Sequence, residues 1–403
     1  MNKKIFLLLI LIYSISFAQQ KEIINTIISK VNIDSLMENL SQLTGDKETS
    51  IGGGNIRITS RYRSSLGNSY AAQFLKRKFQ KLGLQVYQQD FMQDGQNIYA
   101  IQRGVQKPNN YVIISAHYDD MPIGDFSPGA DDNGSGTCAV LEAARILSKY
   151  EFNYSIIYAL FDLEEQGLFG STYYAEQARM RNDSIIAVIN LDMIGWDSNN
   201  DFASEVHVQN ISNSIHLAQV FHDMNKNYSI GLQLFTNYPG SSASDHASFW
   251  RNGYTAVMLI ESFKDFNFYY HQPGDDISKI NKSFYERMTK LAVAVLSEYA
   301  GTDKDTIIYK PTPTAFHLSN NYPNPFNTST KIRYNISNET FVRLSVYDAL
   351  GNKVAKLVNE IQKPNFYEIN FDENLTRKLS SGVYFYSLQA GNYFAVRKMV
   401  LAK

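Results

Sequence analysis

The chain has 403 residues, 44% hydrophobic and 19% charged, which exceeds one ordinary domain and is too apolar for a disordered protein. Its 38 Lys and Arg offset 39 Asp and Glu to a formal net charge of -1, so no global field recruits nucleic acid or an anionic membrane. The single cysteine, Cys138, excludes an intramolecular disulfide and any metal cluster built on thiolates.

Residues 1–18 read as an export signal: Lys3 and Lys4 precede the apolar run IFLLLILIYSISF, and Ala18 places a small residue before a cut at Gln19. The strongly apolar part, Ile5 to Tyr13, is shorter than the roughly 20 residues a membrane helix needs, so no stable membrane span is expected; an uncleaved anchor is the alternative. Residues 19–43 have helical spacing through Ile23, Ile27, Val31, Leu36, Leu40 and Leu43, and form either a prosegment or a permanent first helix. A second helix is predicted over 70–82, stopped by Gly83. Strands follow at 85–91 and 97–103.

Next comes an alternation of short apolar runs and helical spacings. YVIISA (111–116), SIIYALF (155–161) and SIIAVINL (184–191) read as strands buried on both faces, with helices at 137–147 and 171–178 between them. Helix 214–224, strand 256–260 and helix 283–299 complete the segment. This order predicts an α/β fold with a mostly parallel central sheet flanked by helices, over 44–301. A polar stretch with Pro311 and Pro313 reads as a linker, 302–317. Beyond it, 318–403 carries short strands at 330–336, 341–347, 366–371, 382–389 and 393–401, a small all-β sandwich.

Hard metal ligands gather where the predicted strands end. They are His117 and Asp119 after YVIISA, Asp131 and Asp132 in a glycine-rich loop, Glu164 and Glu165 after SIIYALFDL, Asp192 after SIIAVINL, and His271 in YYHQPGDD. Loops beyond the carboxyl ends of parallel strands form the usual site crevice, so these distant positions can converge. Each alone has a plain structural explanation, such as a helix cap for Asp132 or a hydrogen-bonded loop histidine for His117. Adjacent Glu164 and Glu165 say more, because they repel unless something positive compensates. Imidazole nitrogens and carboxylate oxygens suit zinc, with manganese or cobalt as substitutes. Asp119 is a natural acceptor for the second ring nitrogen of His117.

The series HYD, GADDNGSG, FDLEEQGLFGS, NLDMIG, SDHASF and YYHQPGDD resembles the co-catalytic zinc exopeptidases that include secreted bacterial leucyl aminopeptidases and glutamate carboxypeptidase. The resemblance implies a zinc aminopeptidase-like fold and two zinc ions held by His117, Asp132, Glu165, Asp192 and His271, with Asp132 bridging. It makes Glu164 the general base of metal-assisted hydrolysis of the N-terminal peptide bond, and the peptide bond after Asp132 cis. Asp245, His246 and Asp275 correspond to supporting or substrate-side residues. Some relatives place a disulfide-framed tyrosine near the reacting carbonyl; here Ser241 holds that position, leaving Tyr238 or His246 as substitutes. The aromatic content of 238–249 and 263–270 suggests a preference for apolar N-terminal residues. Alternatives are a dipeptidase or carboxypeptidase of the same family, a glutaminyl cyclase, and a noncatalytic peptide-binding relative. His207, His216, His222 and His317 are expected to be structural or at the surface.

The C-terminal segment also has a resemblance. NYPNPFN, TKIRYNI, VRLSVYDALGNKV, LSSGVYFYSLQAG and the final RKMVLAK resemble the sorting domains of type IX secretion substrates. This implies the type IX machinery as a partner and an extracellular or outer cell surface location, alongside peptide substrates; a carbohydrate-binding β module is the alternative.

Overall fold

The computed structural model describes residues 21–51, 54–121, 126–301, 308–309 and 315–403, in two compact units that divide between Tyr309 and Lys310. The predicted signal segment and most of the predicted linker lie outside the described residues.

The first unit begins with helical turns over 21–28 and helix α1 (Ile33–Leu43), separated by Asn32, whose side chain caps α1 by accepting from Ser35 N. Ile24, Ile27, Leu36, Leu40 and Leu43 are fully buried in the main core. Helix α2 (Leu66–Lys81) follows, then strands β1 (Gln85–Phe91), β2 (Gly95–Gln102) and β3 (Lys107–His117). Helix α3 (Gly136–Leu147), β4 (Tyr154–Phe161), α4 (Phe169–Met180) and β5 (Ser184–Leu191) form the alternating segment. The unit closes through β6 (Ala203–His207), α5 (Ser214–Asn227), β7 (Gln233–Asn237), α6 (His246–Arg251), β8 (Ala256–Glu261) and α7 (Lys282–Gly301).

One eight-stranded sheet, in the order β7-β6-β8-β5-β3-β4-β2-β1, organises these elements. The pairs β7/β6, β8/β5, β5/β3 and β3/β4 are parallel, and the others antiparallel. Both faces are covered: Val112, Ile114 and Ala116 of β3 face one core cluster, while Ile113 faces another with Ile157 and Val188. Burial on both faces is why these strands read as continuous apolar runs. The parallel central strands β3, β4 and β5 place His117, Glu164 and Asp192 at or just past their carboxyl ends.

The second unit has two antiparallel sheets. One joins β9 (His317–Leu318), β10 (Thr330–Ile336) and β13 (Asn365–Phe371); the other orders β12 (Lys353–Gln362), β11 (Thr340–Tyr347), β14 (Gly382–Ala390) and β15 (Tyr393–Leu401) as β12-β11-β14-β15. Ile332, Tyr334, Val342, Leu344, Tyr386 and Met399 fill its core. Strands β6, β7 and β12 have no counterpart among the sequence-predicted elements. Ile308–Tyr309, inside the predicted linker, pairs antiparallel with Tyr150–Glu151. Among the described residues no helix is long and apolar enough to cross a membrane.

Candidate metal centre

The loop 129–135 carries Asp132 between the ends of β3 and α3. Gly129 starts it at φ +49°, and the Asp132–Asn133 peptide bond is cis, as the resemblance implies. Asn133 Nδ2 donates to Leu191 O (2.9 Å) and Asn133 Oδ1 accepts from Gly136 N (3.0 Å), tying the loop to the end of β5. Gly136 leaves no room for a side chain there, since a Cβ would lie 2.3 Å from Asn133 Oδ1 and 2.7 Å from Leu191 O. Gly136→Ala is therefore expected to destabilise the unit by about 1–3 kcal/mol, measured by denaturant unfolding. An unchanged midpoint would show that the loop yields at no cost.

Asp132 divides its carboxylate between two histidines. Oδ1 lies 3.4 Å from His117 Nε2, and Oδ2 lies 3.2 Å from His271 Nε2. His117 Nε2 is also 3.5 Å from Asp192 Oδ1, and His271 Nε2 is 2.9 Å from Glu165 Oε2. Ligand atoms of His117, Glu164 and Asp192, and of His117, Asp132 and Glu165, each gather within 4.8 Å. Asp132 Oδ2, Glu165 Oε1 and His271 Nε2 are buried and make no hydrogen bond. Buried polar atoms of this kind are costly unless something satisfies them, and a nitrogen and carboxylate set suits divalent cations. The residues present thus fit divalent metal.

The electrostatics agree with that fit. Burial opposes a charged His117, yet the Glu164 and Asp192 carboxylates hold its imidazole well above the usual range. Burial pushes the Asp132 carboxyl up, but His117 and His271 pull it below its ordinary value. Burial and the Asp132 charge push Glu165 up to about 8. Burial lowers His271, but the adjacent Asp132 and Glu165 carboxylates raise it to about 10. For Glu165 the fold favours the protonated acid, so its contribution to stability declines as pH rises from about 4.5 to about 8. The stability conferred by protonated His271 is complete below about 6.5 and is lost as pH rises to about 10. Both slopes weaken the metal-free fold as pH rises, whereas metals bind deprotonated ligands. The rise in Tm on adding zinc is expected to be larger near pH 8 than near pH 6; equal rises would remove this account.

The supporting residues are placed as follows. The Asp119 carboxylate accepts from Glu164 N (3.1 Å) and Glu165 N (3.3 Å), and its Oδ1 lies 3.5 Å from His117 Nδ1. Asp275 Oδ2 accepts from Asp131 N (3.1 Å) and Asp132 N (3.0 Å). Asp245 is buried and its carboxylate makes no hydrogen bond; burial pushes it up to about 7 against the pull of His117. His246 is buried, with Nε2 2.8 Å from Ser241 O, and burial lowers its imidazole to about 3. Tyr238, by contrast, is 62% exposed.

Three residues play supporting roles that the sequence does not signal. Arg61 is fully buried and donates to Tyr118 O (2.6 Å), Pro128 O (2.6 Å) and Gly129 O (2.8 Å), yet in SRYRS it looks like any surface arginine. Asp131, beside Asp132 in the glycine-rich loop, accepts from Gly195 N (2.7 Å) and Asn267 Nδ2 (3.2 Å). Asp162 accepts from Asn68 Nδ2 (2.8 Å) and Gln96 N (3.0 Å), which ties the end of β4 to α2 and β2.

Comparisons with known proteins agree with this architecture. Residues 97–296 match Peptidase family M28, and residues 320–402 match the secretion system C-terminal sorting domain. The chain is 32% identical over 233 residues to Aminopeptidase YwaD of Bacillus subtilis, across 53% of this chain but only 46% of that relative's length. Its fold is similar to that of a zinc aminopeptidase from Bacillus subtilis, at TM-score 0.58 and 18% identity over 70% of this chain and 98% of the other. It is also similar to that of Porphyromonas gingivalis glutaminyl cyclase, at TM-score 0.56 and 20% identity over 66% and 98%. At such identities the likeness shows the fold alone, and that fold hosts two chemistries. Residues 97–296 therefore belong to peptidase family M28, and residues 320–402 to the secretion system C-terminal sorting domains.

Proposed function

We propose that residues 44–301 form an exported di-zinc aminopeptidase that removes N-terminal residues from peptides. One observation carries this reading: the Asp132 carboxylate faces His117 through one oxygen and His271 through the other. His117, Asp132 and Asp192 would hold one ion, and Asp132, Glu165 and His271 the second. When bound, such ions supply Lewis acidity and a nucleophile usable at neutral pH. Glu164 takes the proton from the attacking water and delivers it to the leaving amine. Asp119 fixes the Glu164–Glu165 backbone through both amides, and Asp275 does the same for Asp131–Asp132. The carboxylate-rich floor attracts a free amino terminus, which accounts for exopeptidase selection.

Phe263, Phe266 and Tyr270 form edge-to-face pairs at 5.7 and 5.2 Å, and Tyr270 stacks on His271 at 3.7 Å. These partly exposed rings support an apolar N-terminal side chain in the substrate. The full reading of the chain is a signal at 1–18, a helical region at 19–43, the catalytic unit at 44–301, a linker at 302–317, and a sorting unit at 318–403. The fully buried residues of 19–43 favour a permanent helix over a prosegment. The sorting unit would deliver the enzyme to the surface or medium through the type IX machinery; deleting 318–403 is expected to retain it in the cell.

Mass spectrometry of matched free-amino, N-acetylated and C-amidated peptides, with metal analysis, tests the enzymatic reading. Stepwise loss from free amino ends, blocked by acetylation and indifferent to amidation, with two ions per chain, is the expected result. Cleavage confined to dipeptides or carboxyl ends would move the assignment within the exopeptidases. Loss of ammonia from N-terminal Gln, with one ion and no hydrolysis, would replace it by cyclisation.

A further inference from the structure

Two segments run into the metal centre from one side. Residues 238–245 end at Asp245, and residues 262–271 end at His271. Each is gripped by the same pair of buried side chains on β6, Glu205 and His207. Phe263 N donates to Glu205 Oε1 (2.9 Å), and Ser262 Oγ donates to it at 3.4 Å. The Asn237 amide donates to Glu205 Oε2, and His207 Nε2 lies 2.9 Å from that oxygen.

The hydrogen bonds select the ring tautomer. Ser241 N donates to His207 Nδ1 (2.9 Å), so Nδ1 must offer a lone pair and the ring proton sits on Nε2, facing Glu205. Burial raises the Glu205 carboxyl, but bonds from His207 and Phe263 hold it below its ordinary value, as an acceptor requires. The other face of the same residue is also held, since Ser241 O accepts from His246 Nε2 (2.8 Å). The Phe263 ring packs on His207 with centroids 4.8 Å apart, which joins the two segments directly.

We propose that His207, oriented by Glu205, and His246 are positioning residues that bracket Ser241 and hold 238–245 and 262–271 as the substrate-side walls of the metal centre. The proposal rests on the peptidase reading for its kinetic consequences, but not for its structural ones. His207 lies away from the metal donors, so its removal should act on substrate binding more than on the chemical step.

The test compares His207→Ala, His207→Asn and His207→Gln, with the partly exposed His222→Ala as control, by kinetics, zinc content and hydrogen exchange of the 238–245 amides. Asn can present its Oδ1 near the position of Nδ1 and accept from Ser241, whereas Gln reaches toward Glu205 and leaves Ser241 N without a partner. Loss of the Ser241 bond in the Ala and Gln variants is expected to speed local exchange and raise KM by about ten-fold, with kcat moved much less and two ions retained. The Asn variant should recover most of both effects, and His222→Ala should match the parent. Parental exchange and KM in the Ala variant would overturn the proposal, as would equal behaviour of Asn and Gln, or a loss falling on kcat with KM unmoved. If His207→Ala does not fold, the comparison of Asn with Gln decides. If the parent protein hydrolyses no peptide, the peptidase reading fails, while the exchange measurements still decide whether the bracket exists.

Discussion

Glu164→Gln is expected to lower kcat by about a thousand-fold while two zinc ions remain bound, as measured by steady-state kinetics and metal analysis. The backbone around Glu164 is fixed from several directions. Its amide donates to Asp119 Oδ1 (3.1 Å), and its carbonyl accepts from Gly167 N and Leu168 N at 2.8 Å each. Leu163, just before it, takes φ +57°, which turns the chain sharply out of β4 toward the crevice. Burial pushes the Glu164 carboxyl well above its usual value, with His117 opposing and Asp192 and Asp245 reinforcing the rise. Such a group is a stronger base than an exposed glutamate, which suits proton transfer from water. Glutamine keeps the size and the hydrogen-bonding oxygen but cannot accept the proton. Turnover within about ten-fold of the parent would remove Glu164 as the base. Loss of one ion would instead place it among the ligands, a role compatible with its grouping with His117 and Asp192.

The parts of this molecule that sequence reveals share a physical cause. Strands β3, β4 and β5 are buried on both faces, so their apolar runs are continuous. Strand β6, ASEVH, is just as buried, but Glu205 and His207 point into the polar bracket described above and Ser204 is polar as well, so its hydrophobic signal disappears. Strand β7 is a largely exposed edge strand, and the pairing of β12 with β11 shifts register twice, which breaks the alternation of period two. The candidate metal donors are legible because His117, Glu164, Glu165 and Asp192 stand at or just past the ends of apolar strands, and Asp132 and His271 lie in short motifs rich in glycine or acids. Arg61 and the supporting role of Asp131 are not, because hydrogen bonds to distant residues determine them, and no local pattern records those partners. Tyr238 stands exposed, while the nearby His246 is turned into the loop, a difference that spacing along the chain does not record.

Arg61→Met is expected to cost about 3–5 kcal/mol of folding stability, because it leaves a buried charge without its partner. For a unit of this size that corresponds to a fall in Tm of roughly 10 °C. Arg61 Nη1 lies 3.6 Å from Asp120 Oδ2, both groups being almost wholly buried, and Asp120 Oδ2 also accepts from Arg61 N at 2.7 Å. Burial already raises the Asp120 carboxyl, with Arg61 providing the main opposing pull. The same guanidinium serves the carbonyls of Tyr118, Pro128 and Gly129, which follow His117 and precede Asp132. One planar fork therefore locks together the two loops that carry the histidine and carboxylate at the heart of the site. Lysine would keep a charge for Asp120 but could not reach three carbonyls in that geometry, so Arg61→Lys should recover stability only in part. Adding Asp120→Asn to Arg61→Met separates the two costs in a double-mutant cycle. If the uncompensated carboxylate dominates, the double variant regains stability yet still binds zinc more weakly than the parent in a chelator competition, since the loops remain unlocked. Parental zinc affinity in that double variant would reduce Arg61 to a charge partner, and the positioning of His117 and Asp132 would then rest on other contacts, among them those of Asp119, Asn133, Thr137 and Asp275.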